Sequence, residues 1–230
     1  MFKVCNVEKA YRKRQQEVLA FRAEQLIIPR GEYLAVVGPS GSGKTTLLSL
    51  LGGMLSPDSG QVWLDNQPIY ELPVSQRTKL RRERLGFVFQ TFNLLPYLTA
   101  LENVQAPLFL AQVPAAEQRR RAAELLERLG LGDRLDHKPC ELSVGQQQRV
   151  ALARTLANNP QAILADEPTG NLDPQSRAHV LELFDDFVRE GRTIVMVTHD
   201  PAAAQRASRR ISIHEGQIIA SDGGGLRQVA

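Results

Sequence analysis

Residues Gly38-Pro39-Ser40-Gly41-Ser42-Gly43-Lys44-Thr45 match the pattern G-x-x-x-x-G-K-[ST] at every position. The spacing suits a polyphosphate. Gly38, Gly41 and Gly43 let the backbone wrap closely, so that its N–H groups point at phosphate oxygens. Lys44 brings a point charge to the β- and γ-phosphates, and Thr45 offers a hydroxyl to Mg²⁺. The flanks agree with this chemistry. Tyr33 to Val37 is a short apolar run that reads as a buried strand, and Thr46 to Leu51 continues as a helix whose N-terminus faces the anion. An ordinary Gly-rich turn requires neither flank.

A second apolar run, Ala162-Ile-Leu-Ala165, ends in the carboxylates Asp166 and Glu167. At the carboxyl edge of a strand, beside the phosphate loop, Asp166 is placed to hold Mg²⁺ directly or through water. Glu167 is placed to orient and deprotonate an attacking water. Gln90 follows the strand-like Gly86 to Phe89, where a neutral amide suits Mg²⁺ and senses the γ-phosphate without adding charge. His199 follows Thr193 to Thr198 and offers an imidazole donor to the same phosphate. Tyr11 offers a ring to stack on adenine. Taken singly, these last three are weak signals, since a lone Gln, His or Tyr is more often structural. Leu142-Ser143-Val144-Gly145-Gln146 discriminates better. A Ser and a Gly at a helix N-terminus make a second anion site. One chain with one triphosphate loop has no evident use for it, but two chains head to tail do, each closing the other's nucleotide.

The elements that must position these groups are legible in outline. Strand patterns occur at Phe2 to Val4, Val18 to Phe21, Gln25 to Ile28 and Gly60 to Leu64, the last followed by a turn at Asp65 to Gln67. Thr99 and Glu102 form a capping box. Glu117 to Leu129 is amphipathic, with Ala122, Leu125, Leu126 and Leu129 at helical spacing and Gly130 as a stop. A helix from Ser143 runs to about Asn158. Strand character returns at Ala162 to Ala165, Thr193 to Val197, Arg210 to His214 and Gln217 to Ala220, the last two joined by a Glu215-Gly216 turn. The expected organisation is one α/β domain. Its core spans about residues 1–90 and 158–220, interrupted by a helical insertion over about 91–157 and followed by a polar tail, 221–230, read as frayed.

Composition bounds the function. The 230 residues are 43% hydrophobic and 23% charged, enough apolar material for a sizeable core. A net charge of +3 does not call for nucleic acid. The Arg-rich stretches Arg77 to Arg84 and Arg119 to Arg121 read as solvated helix faces, with anionic lipid head groups as the alternative neighbour of one of them. Cys5 and Cys140 are too few and too separated for a disulfide framework or a zinc site, which fits a reducing compartment. No secretory leader is evident at the N-terminus. The longest helix-like apolar stretch, Thr46 to Leu55, falls short of the roughly 20 residues that span a bilayer. The expected location is cytoplasmic, with any membrane role exerted through a partner.

With these motifs in order, the chain from Phe2 to Ala220 resembles the ATP-binding-cassette (ABC) ATPases. Tyr11 matches the aromatic loop, Gly38 to Thr45 Walker A, Gln90 the Q-loop and Leu142 to Gln146 the signature. Asp166 and Glu167 match Walker B, Asn171-Leu172-Asp173 the D-loop and His199 the switch histidine. The resemblance implies an α/β P-loop NTPase fold with a RecA-like core, an N-terminal antiparallel β subdomain and a helical insertion. It implies ATP bound by Tyr11 and by Gly38, Pro39, Ser40, Gly41, Ser42, Gly43, Lys44, Thr45 and Thr46, and in trans by Ser143, Gly145, Gln146 and Asp173. Mg²⁺ falls to Thr45, Gln90 and Asp166, and catalysis to Glu167, His199 and Gln90. The implied partners are a second copy of the chain and an integral membrane permease, with no nucleic acid, on the inner face of the cell membrane.

Finer features narrow the group. Phe89 to Pro96, Thr99 to Val104 and Ala165 to Asp173 look like the ATPases of macrolide export and lipoprotein release, with the cell-division ABC ATPase a near relative. That likeness implies a bacterial subunit that turns ATP hydrolysis into mechanical work. The rival within transport is the ATPase of an importer for amino acids or similar solutes. Non-membrane ABC ATPases of DNA repair and translation usually carry coiled-coil, zinc-bearing or tandem-cassette insertions that this sequence lacks. No C-terminal substrate-sensing extension is expected either. One departure is Val144, where the family usually has Gly. A Cβ there opposes positive φ and crowds close approach, but Ser143 and Gly145 remain, so binding in trans is expected to survive in weakened form. Phe92, Leu94, Leu95, Tyr97 and Leu98 form an apolar run, read either as packing of the insertion or as a groove for a helix of the membrane subunit.

Overall fold

The computed structural model describes residues 1–13 and 16–222. Among the described residues, ten strands form one sheet. Strands β1 (Phe2–Lys13) and β2 (Gln16–Ile28) are long antiparallel partners, bordered by β4 (Ser59–Leu64) and the short β5 (Gln67–Pro68). Sequence patterning predicts only fragments of β1 and β2. Pairing with each other through an irregularity at Lys9/Ala10 extends both, because mutual hydrogen bonding stabilises polar stretches that carry no apolar period.

The other half of the sheet holds the site. Here β3 (Tyr33–Val37), β8 (Thr193–Val197), β7 (Ala162–Asp166) and β6 (Leu85–Val88) lie side by side and parallel, with β9 (Arg209–His214) on the outer side of β3. Their near-continuous apolar sequences follow from helices covering both faces. Register aligns their carboxyl ends: Val36 lies opposite Val197, Asp166 opposite Val197, and Ala165 opposite Val88. Strand β10 (Gln217–Asp222) returns antiparallel on β9 and runs past the expected Ala220, with Ser221 opposite Ile211 and Asp222 opposite Arg210. Two residues assigned above to the tail are therefore sheet, and the rest of that expectation lies outside the described residues.

Helix α1 (Lys44–Leu51) packs Leu47, Leu50 and Leu51 against Phe2, Phe21 and Ile28, forming a core on one face of the sheet. On the other face, α3 (Ala100–Leu110), α4 (Ala115–Arg128), α5 (Val144–Leu156) and α6 (Pro174–Arg189) share a second core that contains Leu108, Leu126, Leu152 and Phe184. The Thr99/Glu102 capping box is present, and Gly130 ends α4 at φ 69°. Helix α5 stops at Leu156, two residues short of the expected end. The Arg-rich stretch 77–84 lies in α2 (Val74–Arg84), of which only Leu80 is buried, as expected of a solvated face. A short helix, α7 (Pro201–Gln205), follows β8.

Candidate active site

The loop after β3 has the geometry its glycines allow. Gly38, Gly41 and Gly43 adopt φ of 150°, 76° and 107°. A Cβ on Gly43 would lie 2.1 Å from the carbonyl oxygen of Ala20, and one on Gly38 2.1 Å from that of Ile213. Two strands thus clamp the loop from outside, so both positions need glycine for space as well as for φ. Helix α1 starts at Lys44, and its first amides have no intrahelical acceptor. Lys44 Nζ donates to the carbonyl oxygens of Gly38 (2.9 Å) and Pro39 (2.7 Å), which folds the ammonium back over the loop. Ser42 Oγ is buried with no hydrogen-bond partner. Free amides, a folded-back ammonium and an orphaned hydroxyl fit a polyphosphate.

Residues far apart in sequence meet at the mouth of this loop. Thr45 Oγ1 donates to Asp166 Oδ2 at 2.9 Å. Burial is the main cause that pushes the Asp166 pKa up; the bond from Thr45 opposes it and the Glu167 charge adds to it. Next to it, Glu167 sits at φ 48°, a conformation that costs of order 1–3 kcal/mol and marks a functional constraint. Its carboxylate is largely buried, with Oε1 2.9 Å from His199 Nδ1 and Oε2 accepting from the His199 backbone amide at 3.3 Å. The His199 side chain is 70% exposed, which leaves its ring free to meet a ligand. Gln90 lies at the carboxyl end of β6. Its carbonyl oxygen accepts from Asn171 Nδ2 at 3.1 Å, and its amide borders Gly170. Hydroxyl, carboxylate and amide oxygens are the hard donors that suit Mg²⁺.

The raised pKa of Asp166 has a stability consequence. The folded state holds this proton more tightly than the unfolded chain, so the contribution of Asp166 to stability is lost as pH rises through the carboxylate range. Asp166→Asn is therefore expected to raise Tm at pH 7 without nucleotide, a gain that partial solvent exposure keeps small. The gain should vanish at pH values below the unfolded carboxylate pKa. Calorimetry at pH 7 and pH 3.5 checks this, and a lower Tm at pH 7 would contradict it.

Tyr11 lies on the outer part of β1 with its ring exposed. Its cross-strand partner is Val18, also exposed, near Ala20, whose carbonyl borders Gly43. Sequence reading missed Val18, because only strand register shows that it shares a surface with Tyr11. Ser143 and Gln146 close a capping box on α5: Ser143 Oγ accepts from the Gln146 amide (3.3 Å), and Gln146 Oε1 accepts from the Ser143 amide (2.9 Å). Gly145 is required by space, since a Cβ there would lie 2.4 Å from Ser176 Oγ. Val144 is the first residue of α5 and has no positive φ, and its side chain is exposed. The expected backbone conflict at Val144 does not arise, because a helix N1 position accepts any L residue. Asp173 caps α6 through Oδ1, which accepts from the amides of Gln175 and Ser176 (both 3.0 Å). Hydrogen bonds from Ser176 hold its pKa below the usual carboxylate range.

A family model described as ABC transporter matches residues 22–170. The chain belongs to the ABC transporter family. It is an ATPase with the cassette fold. It is 46% identical over 226 residues to the uncharacterized ABC transporter ATP-binding protein YvrO of Bacillus subtilis, covering 98% of this chain and 99% of YvrO. It is also 46% identical over 217 residues to the macrolide export ATP-binding/permease protein MacB of Bartonella quintana, covering 94% of this chain but only 33% of MacB. Among solved structures, a dimeric post-hydrolysis state of the ATP-binding cassette MJ0796 bound to ADP and Pi is similar at a TM-score of 0.90. The two are 42% identical, and the likeness covers 97% of this chain and 98% of that one.

Proposed function

We propose that two copies of this ATPase close around two ATP molecules and drive a membrane partner in export or lipoprotein release. The observation that carries the catalytic part is the meeting of Lys44, Thr45, Asp166, Glu167 and His199 at the aligned carboxyl ends of β3, β7 and β8. ATP lies with its phosphates on the loop amides, Ser42 and Lys44, and with adenine against Tyr11 and Val18. Thr45, Gln90 and Asp166 hold Mg²⁺, which when bound neutralises charge on the β- and γ-phosphates. Glu167 accepts a proton from water as the water oxygen bonds to the γ-phosphorus and the bond to the β,γ-bridging oxygen breaks. His199 donates to the γ-phosphate. Ser143, Gly145 and Gln146 of the second copy close the site from outside, and the dimeric state of the similar MJ0796 cassette supports that arrangement.

The membrane coupling rests on a groove of about 660 Å³ between α2, β6 and α3, lined in part by Met54, Phe89, Leu95 and Leu110. Of the apolar run after Gln90, Phe92 and Leu94 pack on the core, whereas Leu95 and Tyr97 are exposed. Asn103 holds this division. Buried in α3, it accepts from the Leu95 amide (2.8 Å) and donates to the carbonyls of Leu95, Leu98 and Thr99. No helix among the described residues is long and apolar enough to cross a membrane; in this reading a segment of a membrane partner seats in the groove. The MacB likeness, in a protein named as both ATP-binding and permease, supports export.

Leu95→Asp is expected to abolish partner-stimulated ATPase, at least about tenfold, with ATP affinity unchanged, because a carboxylate in an apolar contact is left unpaired. Undiminished stimulation would remove the groove. The partner itself is tested by isolating the tagged chain from native membranes and identifying what accompanies it by mass spectrometry. A membrane protein of few helices with a large extracytoplasmic domain is expected. A many-helix permease with a solute-binding protein would overturn export.

A further inference from the structure

We propose that Arg154 is a positioning residue that sets Gln90 against the nucleotide site and ties it to the signature helix; the proposal rests on the metal-binding role read for Gln90. The chain leaves β6 through Gln90 into a strained turn. Phe92 and Asn93 lie in succession at φ 56° and 50°. Asn enters this region readily, but a bulky side chain such as Phe92 rarely does and persists there only where its surroundings hold it. Arg154, in the last turn of α5, holds these two. Its Nη1 donates to the carbonyl oxygen of Asn93 and its Nη2 to that of Phe92, both at 2.6 Å. A planar guanidinium fork fits two adjacent acceptors, which a single ammonium does not.

The setting is specific. Burial pushes the Arg154 pKa down, and no carboxylate pairs with it among the described residues. Its charge serves two neutral carbonyls instead. The next residue, Thr155, donates its hydroxyl to the Phe87 carbonyl oxygen at 2.7 Å. One turn of α5 thus grips the chain three residues before Gln90 and again two and three residues after it. From the opposite side, Asn171 binds the Gln90 carbonyl oxygen. Helix α5 begins at Val144, capped by Ser143, and its 13 residues form a rod about 20 Å long. A shift of the signature end is therefore carried to Gln90 through Arg154, which also lines the apolar groove.

The test uses the full chain and the magnesium enhancement of ATP binding, taken as the ratio of Kd in EDTA to Kd in magnesium. Arg154→Met, Arg154→Lys, Gln90→Ala and Arg154→Met/Gln90→Ala are compared. Arg154→Met is expected to lower the enhancement about fivefold, with Kd in EDTA unchanged, and the double variant should match Gln90→Ala alone, because the two residues act as one unit. Arg154→Lys, which keeps one donor, should recover part of the enhancement, and it carries the test if the Met variant does not fold. Two outcomes overturn the proposal alone: effects of Arg154 and Gln90 that multiply, or an Arg154 variant with full enhancement beside an impaired Gln90→Ala. Full enhancement in Gln90→Ala overturns the metal role of Gln90 and the proposal with it.

Discussion

Glu167→Gln is expected to bind ATP with near-normal affinity and to hydrolyse it at least about a hundredfold more slowly. The amide is isosteric, so it still accepts from the His199 amide as Glu167 Oε2 does at 3.3 Å. It tolerates φ 48° as well as Glu does, so the strained backbone stays in place. What it lacks is a basic lone pair for the proton of the attacking water. The variant should also accumulate as an ATP-bound dimer, because in the proposed cycle ATP closes the pair and hydrolysis reopens it. Phosphate release and sedimentation in ATP and magnesium measure both effects. Turnover within about threefold of the parent would remove Glu167 as the base. Loss of ATP binding would mean instead that the carboxylate holds the site together.

Lys44→Ala is expected to weaken ATP binding about a hundredfold, the loss of roughly 3 kcal/mol of charge-assisted bonding to phosphate. Among the described residues the ammonium donates to the Gly38 and Pro39 carbonyl oxygens of its own loop. Its removal frees two part-buried carbonyl acceptors, which water entering the vacated space can satisfy, and leaves α1 otherwise intact, so Tm without ATP should change little. Calorimetric titration with ATP, paired with a melting curve, separates the two effects. Unchanged ATP affinity would refute the loop as the phosphate cradle. A large fall in Tm would show that the lysine holds the empty loop in shape.

The two variants fail at different steps, binding and chemistry, and together they test the division of labour in the site. Asp166 links the halves. It accepts from Thr45 on the loop and stands beside Glu167, and its raised pKa reflects a carboxylate kept partly out of water without a cationic partner in contact. Such a group costs stability unless a cation neutralises it.

Much of this was legible in the chain because the chemistry is local. The phosphate loop needs three glycines, a lysine and a threonine within eight residues, and its conformation follows from their φ freedom. The capping boxes at Thr99/Glu102 and Ser143/Gln146 close over three residues each. The strands β3, β7 and β8 announce themselves as short apolar runs because both of their faces are covered. Distance along the chain is what hid the rest. Thr45 and Asp166 are 121 residues apart, and only the register of β3, β8 and β7 brings their side chains to 2.9 Å. Val18 joins Tyr11, Arg154 grips Phe92 and Asn93, and Ala20 closes on Gly43 through pairings that no local period encodes. That Val144 meets no backbone conflict was hidden for the same reason, since its conformation depends on where α5 starts. Local sequence points to the groups proposed to carry the chemistry, because neighbouring residues set turns, caps and burial. The tertiary structure alone decided which of them meet, because strand register and helix packing are set by the whole core.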